Sequence, residues 1–303
     1  MIRFLATLFA ALFGLAVGSF LNVCLSRWPE GESIVQPRSH CRNCAHTLSW
    51  WENIPLLSWL LLRGRCRTCK TPIGGRYPLV EAAVGGLWAI FVARALPGDA
   101  ALVTLPPSAL LLPLLTALAS MLLAWLLVAL AALDAENLWL PDWLTIPGTV
   151  LGFLLAALHP VLLFALDRAT GLSLADGLES GRFGLLTPAI YRLFAIAVAA
   201  GAVLLIRWVY QWVRKREGLG LGDAKLMALL TAWLGLSGGV LAFVIGVVLG
   251  TLAALAVLLK PRREGEPWSQ MKLPLGTFLC LGGLVSCLWG KEIIALYWQL
   301  AGF

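Results

Sequence analysis

A chain of 303 residues that is 60% hydrophobic and only 13% charged, with a mean hydropathy of +0.85, is too apolar for a soluble globular domain. It reads as an all-α polytopic membrane protein embedded in a lipid bilayer. The net charge of +7 does not imply a nucleic-acid partner, because the Lys and Arg residues sort by loop, as membrane orientation requires.

The first apolar run covers residues 4–25. Arg3 in front of it and Ala16-Val17-Gly18 inside it would suit a secretory signal with a cleavage site. The apolar character continues through Phe20, Leu21 and Val23 to Leu25, so 1–25 is expected to be a retained first membrane helix.

Residues 26–78 form the one substantial polar segment, and it holds two CxxC pairs, Cys41/Cys44 and Cys66/Cys69, separated by 21 residues. That spacing suits a four-thiolate zinc site: each pair offers a cation two sulfurs at about 2.3 Å, and two pairs complete a tetrahedron. Metal binding then supplies folding free energy to a small domain with few core residues. Two disulfides are the competing reading, and they would need an oxidising compartment. The surrounding arginines favour thiolates and leave redox chemistry open. His40 and His46 are spare candidate ligands and, with four cysteines present, are expected at the surface. Cys24, Cys280 and Cys287 fall in or beside apolar runs and read as small buried residues.

Further apolar runs are expected at about 79–96, 108–133, 143–165, 187–210, 225–236, 238–259 and 274–298, making about eight transmembrane helices with the first. Residues 79–303 therefore form a transmembrane helical domain. The run at 225–236 is short. Placing 26–78 in the cytoplasm puts the connections near 134–142, 207–225 and 260–273 there too, together with most of the 23 Lys and Arg residues, and leaves both termini outside. Trp50, Trp51, Trp139 and Trp143 near the run ends fit an interfacial aromatic belt. The outside loop at 166–186, with Asp167, Asp176 and Glu179, reads as a solvated connector.

Gly218-Leu219-Gly220-Leu221-Gly222-Asp223-Ala224-Lys225 sets a carboxylate among glycines at a membrane boundary. Gly220 and Gly222 would hold Asp223 on an unwound segment that a peptide can reach; the simpler reading makes Asp223 the N-cap of the next helix. Asp134 ends another apolar run on the same side. Two nearby carboxylates do not readily both ionise: the charged one can take a proton from water as it attacks a peptide carbonyl, and the protonated one can donate to the carbonyl oxygen. The few His residues and the absence of a Ser/His or HExxH arrangement remove the obvious rival protease chemistries. The non-enzymatic alternative is a membrane scaffold or transporter with a structural zinc loop, its two aspartates in an ion path. Such carboxylates belong near mid-membrane, whereas these read as edge residues. Asp142, after Pro141, reads as a helix cap.

An ordered series of motifs carries a family resemblance: Gly18-Ser19-Phe20-Leu21-Asn22-Val23, the CxxC pairs, Trp51-Glu52-Asn53-Ile54-Pro55-Leu56-Leu57-Ser58, Arg76-Tyr77-Pro78-Leu79-Val80-Glu81, Asp134 with Leu140-Pro141-Asp142, and Gly220-Leu221-Gly222-Asp223. In these the chain resembles the bacterial type IV prepilin peptidases, aspartic proteases of the GxGD type that also N-methylate the new N-terminus. The resemblance implies that Asp134 and Asp223 are the catalytic pair and that the four cysteines bind zinc. It further implies S-adenosylmethionine as methyl donor and a prepilin or type II secretion pseudopilin as substrate, cut at the cytoplasmic face of the bacterial inner membrane after a short basic leader. Ala224 stands where relatives often carry an aromatic residue. Glu52, Gly64, Arg65 and Glu81 are candidates for the methyl-transfer region, with structural roles, including a simple turn at Gly64-Arg65, as the alternative. No glycine-rich nucleotide loop marks a cofactor site. A peptidase lacking methylation, as among archaeal preflagellin relatives, is a second enzymatic reading, against which the zinc loop argues.

Overall fold

The computed structural model describes residues 1–170, 182–215, 220–259 and 273–302. The connector expected at 166–186 is shorter, since α6 continues to Thr170 and α7 begins at Arg182. Its middle, 171–181, residues 216–219, which include the start of the glycine-rich stretch, and 260–272 of the basic connection lie outside the described residues. The described chain is helical: α1 (Ile2–Arg27), α2 (Leu57–Leu61), α3 (Arg76–Ala95), α4 (Asp99–Thr104), α5 (Pro107–Asn137), α6 (Asp142–Thr170), α7 (Arg182–Arg214), α8 (Leu221–Leu258) and α9 (Leu275–Leu300). Seven of these are long and apolar enough to cross a membrane: α1, α3 and α5 to α9. Many of their leucines, valines and phenylalanines are exposed, as expected where lipid is the solvent.

The chain forms two compact units, residues 1–129 and 130–303, with the boundary inside α5. In the first, α1 packs against α3. The approach is close because α1 carries Gly14 and Gly18 one turn apart. A methyl group added at Gly14 would lie 2.9 Å from Gly85 Cα, and one at Gly18 would lie 2.8 Å from Glu81 Cα. Small residues at such spacing let membrane helices pack backbone to backbone. The polar segment between these helices is mostly loop and short 3₁₀ turns, with α2 its one α-helix.

In the second unit α6, α7, α8 and α9 pack on one another. The 38 residues of α8 are not one rod. Gly235 has φ +79° and ψ 178°, a backbone shape that side chains other than hydrogen disfavour. A methyl group on Gly239 would lie 3.3 Å from Thr231 Cα, whereas eight residues of continuous helix would separate them by about 12 Å. The chain therefore reverses at Gly235, and the halves 221–234 and 236–258 lie antiparallel. The separate runs expected at 225–236 and 238–259 correspond to these halves, which brings the apolar segments to the expected number of about eight.

The reversal leaves the last carbonyls of the first half without helical partners. Arg192 of α7 donates from Nη1 to one of these, Thr231 O, at 3.3 Å, while Ser286 of α9 holds the start of the second half by donating to Gly238 O at 2.8 Å. A cation at a helix C-terminus also complements its dipole. Hydropathy alone registers Arg192 only as an interruption in an apolar run; its reason is the turn it caps.

Candidate functional site

The two CxxC pairs fold as matching knuckles. In each, the first cysteine N–H bonds the carbonyl five residues on (Cys41 to His46, Cys66 to Thr71), and the residue after the second cysteine, Ala45 or Lys70, has positive φ. An isolated bridge closes each loop, His40 with Thr47 and Arg65 with Pro72. The four sulfurs lie within 4.8 Å of one another, with Cys41 to Cys69 at 3.7 Å and Cys44 to Cys66 at 4.0 Å. A tetrahedron of thiolates about 2.3 Å from a central cation has edges of about 3.8 Å, so the cluster fits a metal ion.

The electrostatics favour the thiolate at Cys69 and Cys41, whereas at Cys44 the His46 N–H is outweighed by desolvation and the neighbouring sulfurs, which push that thiol up to about 11. Thr71, whose hydroxyl oxygen lies 3.2 Å from Cys69 Sγ and whose N–H also bonds it, brings the Cys69 thiol down to about 5. Asn43, from the first knuckle, donates to that hydroxyl at 2.9 Å. The N–H groups of Cys44 and Asn43 lower Cys41 in the same way. Neither His40 nor His46 belongs to the cluster.

The acidic pair lies in the second unit. Asp134 is in the last turn of α5, and Thr277 at the start of α9 donates its N–H to Asp134 Oδ2 at 2.6 Å. Asp223 is the third residue of α8, neither on an unwound segment nor at the N-cap: Gly220 is the cap residue, and its N–H donates to Asp223 Oδ2 at 3.0 Å. Both carboxylates are buried. The Cys280 thiol is buried one turn along α9 from Thr277. Leu140 wedges between the two sites: methyl groups added at Gly222 and Gly276 would lie 3.1 Å and 3.0 Å from its Cδ1.

Asp142 is not the side-chain cap that the sequence suggests. It is the first residue of α6 and pairs with Lys225 Nζ at 2.5 Å, because Lys225 projects from the same turn of α8 that carries Asp223. Gly276, Thr277 and Lys225 escaped the sequence reading. The signal for the first two was Pro274-Leu275-Gly276-Thr277, a proline at a helix start with a glycine and a Thr in the first turn.

Comparison with known proteins gives this geometry its context. Residues 121–255 match the model of the Type IV leader peptidase family, and residues 12–95 match the Bacterial Peptidase A24 N-terminal domain. Proteins named prepilin leader peptidase/N-methyltransferase align over nearly the whole chain. The one from Aeromonas hydrophila is 33% identical over 96% of this chain and 93% of its own length. That from Burkholderia pseudomallei strain 1026b is 36% identical over 95% and 87%, and that from Pseudomonas aeruginosa is 35% identical over 96% and 93%. The chain belongs to the type IV leader peptidase family. No solved structure matches it.

The other residues singled out in this leader peptidase family member hold its loop in shape. Glu52 Oε2 accepts the Ser49 N–H at 2.9 Å and lies 3.3 Å from His46 Nε2. Glu81 Oε2 accepts the Leu56 N–H at 2.8 Å; Leu56 is a γ-turn residue at φ +59°, with Leu57 N–H bonded to Pro55 O, a strained shape for a leucine. Gly64, at φ +65°, sits against the Trp59 ring. The motif residues at the foot of the loop also meet, with Asn22 donating to Tyr77 O at 2.9 Å. Arg65 belongs to the bridge beside the second knuckle and lines a basic cavity with Arg63, Arg67 and Lys70.

Proposed function

We propose that this protein is a membrane-embedded aspartic endopeptidase that removes the basic leader from type IV prepilins or type II secretion pseudopilins and N-methylates the new N-terminus with S-adenosylmethionine. The observation that carries the reading is a pair of buried carboxylates at helix ends, Asp134 at the end of α5 and Asp223 at the start of α8, whose neighbouring glycines Gly276 and Gly222 both pack on Leu140. Membership of the family, and the shared name of relatives aligned nearly end to end, support the paired activities.

In this reading the ionised member of the pair accepts a proton from water as it attacks the scissile carbonyl. The other donates to the carbonyl oxygen, and the proton then passes to the leaving amine. Two adjacent carboxyls share one negative charge because a second is costly beside the first. Asp134 accepts two contacts from Thr277 at one oxygen, Asp223 one from Gly220, and hydrogen-bond donors favour the ionised form. Asp134 is therefore assigned the base and Asp223 the acid.

Cys41, Cys44, Cys66 and Cys69 would hold zinc as a structural ion that fixes the loop. The bias of Lys and Arg across connections supports a position of the loop and the acidic pair at the cytoplasmic face of the inner membrane. Purified protein incubated with a prepilin and S-adenosylmethionine tests the whole reading when cleavage and methyl incorporation are followed separately. Intact leader after incubation would reject the peptidase, and cleavage without methyl incorporation would leave a peptidase alone.

A further inference from the structure

The first unit contains a cavity of about 420 Å³ between the end of α1 and the cysteine loop, away from the knuckle sulfurs. Arg27, the last residue of α1, lines it and is 5% exposed. Its guanidinium donates to Ser33 O at 2.7 Å and to Pro37 O at 2.6 Å, which occupies two of its five N–H groups. Arg38 lines the same cavity. Neither arginine has a carboxylate partner among the described residues. A buried cation without a counter-charge is costly, so the cavity is built to receive an anionic group.

The rest of the wall narrows the ligand class. Trp50 and Phe20 present aromatic surface, 79% and 50% exposed, and Asn53 adds amide donors and an acceptor. An aromatic face takes a planar base by stacking and a cation by its quadrupole. A carboxylate, a purine and a cationic sulfonium occur together in S-adenosylmethionine, and the volume lies in the range of small-molecule sites. The other cavity, of about 510 Å³, is lined by Arg63, Arg65, Arg67 and Lys70 and no aromatic residue. It would repel a sulfonium and cannot stack a base.

We propose that the cavity between α1 and the cysteine loop is the methyl-donor site, with Arg27 and Arg38 receiving the carboxylate of S-adenosylmethionine and Trp50 stacking its base. The proposal rests on the methyltransferase half of the function above. Ala16 and Phe20 extend the cavity wall along α1, which gives an apolar acceptor segment a surface leading to the donor.

Equilibrium dialysis of methyl-tritiated S-adenosylmethionine against the full chain in phosphatidylcholine nanodiscs tests the site without relying on turnover. Wild type should bind one donor per chain, and Arg38→Gln and Trp50→Ala should each weaken binding by about tenfold or more, the range for a charged or anchoring contact. Both side chains are exposed, so metal content and the melting temperature should stay at wild-type values; Arg27→Gln is the deeper variant and should abolish binding. Wild-type affinity in all three variants would overturn the site. Displacement of the donor by phosphatidylglycerol in the nanodisc would reassign the arginines to a lipid phosphate. If wild type cleaves prepilin but binds no donor, the methyltransferase reading itself falls; variants that bind as wild type does remove only the site.

Discussion

Thr277 meets Asp134 twice at a single oxygen: its N–H donates to Oδ2 at 2.6 Å, and its hydroxyl oxygen lies 3.2 Å from the same atom and 3.0 Å from Ala131 O. One hydroxyl hydrogen cannot serve both acceptors fully. With Asp134 ionised, the hydrogen turns to Oδ2. With Asp134 protonated at Oδ2, the hydroxyl accepts that proton's bond and donates to Ala131 O. Thr277 thus satisfies either state of the acid assigned to exchange protons with water.

Thr277→Val keeps the volume and the N–H but removes the hydroxyl, and should slow prepilin cleavage by about tenfold, the scale of one hydrogen bond to a charged group. Thr277→Ser should restore most of the rate. Leader removal timed under single-turnover conditions reads both. Equal rates for Val and wild type would mean that the hydroxyl plays no part.

Gly276 precedes Thr277 for a steric reason. A methyl group there would lie 2.8 Å from Asp134 Oδ2 and 3.0 Å from Leu140 Cδ1. Gly276→Ala should therefore cut cleavage by at least about a hundredfold, as expected when a reacting group is misplaced by about 1 Å, with the cysteine loop still holding its metal. Gly75→Ala, where the added methyl meets nothing within 4 Å, serves as the matched control and should cleave at the wild-type rate.

The parts of this protein legible in its sequence are those governed by local chemistry and bilayer thickness. Apolar runs reveal helices because a membrane span needs about 20 apolar residues, and a CxxC pair reveals a knuckle because two sulfurs three residues apart chelate one ion. Helix ends were expected too short, as at Asp134, because α5 continues in polar residues to Asn137. The reversal at Gly235 left only a brief dip in hydropathy, and the partners of Asp134 stayed hidden because Thr277 is distant in sequence. Asp142 looked like a cap until Lys225 reached it from another helix.

The cysteine cluster leads to a metal prediction. Purified protein should carry one zinc per chain by elemental analysis, and Cys44→Ser or Cys66→Ser should lose it along with resistance of residues 28–75 to proteolysis. His40→Ala and His46→Ala should keep a full complement, since neither ring joins the sulfur cluster. Zinc loss in a histidine variant alone would rewrite the ligand set.

Glu52 gives the loop a pH signature. The Ser49 N–H, then His46, hold its carboxyl below the usual carboxylate range. A carboxyl depressed in the folded state contributes stability above its unfolded value of about 4.3, and that contribution is lost as pH falls through the lower folded value. Glu52→Gln should therefore melt below wild type at about pH 5 and above, with the margin closing under about pH 4. Scanning calorimetry across that range decides it, and a margin that persists unchanged at the acid end would show that the charge of Glu52 is not what the loop uses.

The assignment of the two catalytic acids can be separated from that of their neighbour. Asp134 and Asp223 are buried, whereas the Asp142 carboxylate is largely exposed and bonded to Lys225. Exposed ion pairs contribute between zero and about 1 kcal/mol, so Asp142→Asn should leave measurable cleavage and near-normal stability. Asp134→Asn and Asp223→Asn should each abolish cleavage while metal content and membrane insertion stay intact. The double variant should be no worse than either single one, because removing one member of a unit already removes its chemistry. Near-normal cleavage by Asp134→Asn with none by Asp142→Asn would move the first catalytic role to α6, and robust cleavage by Asp223→Asn would reject the aspartic mechanism.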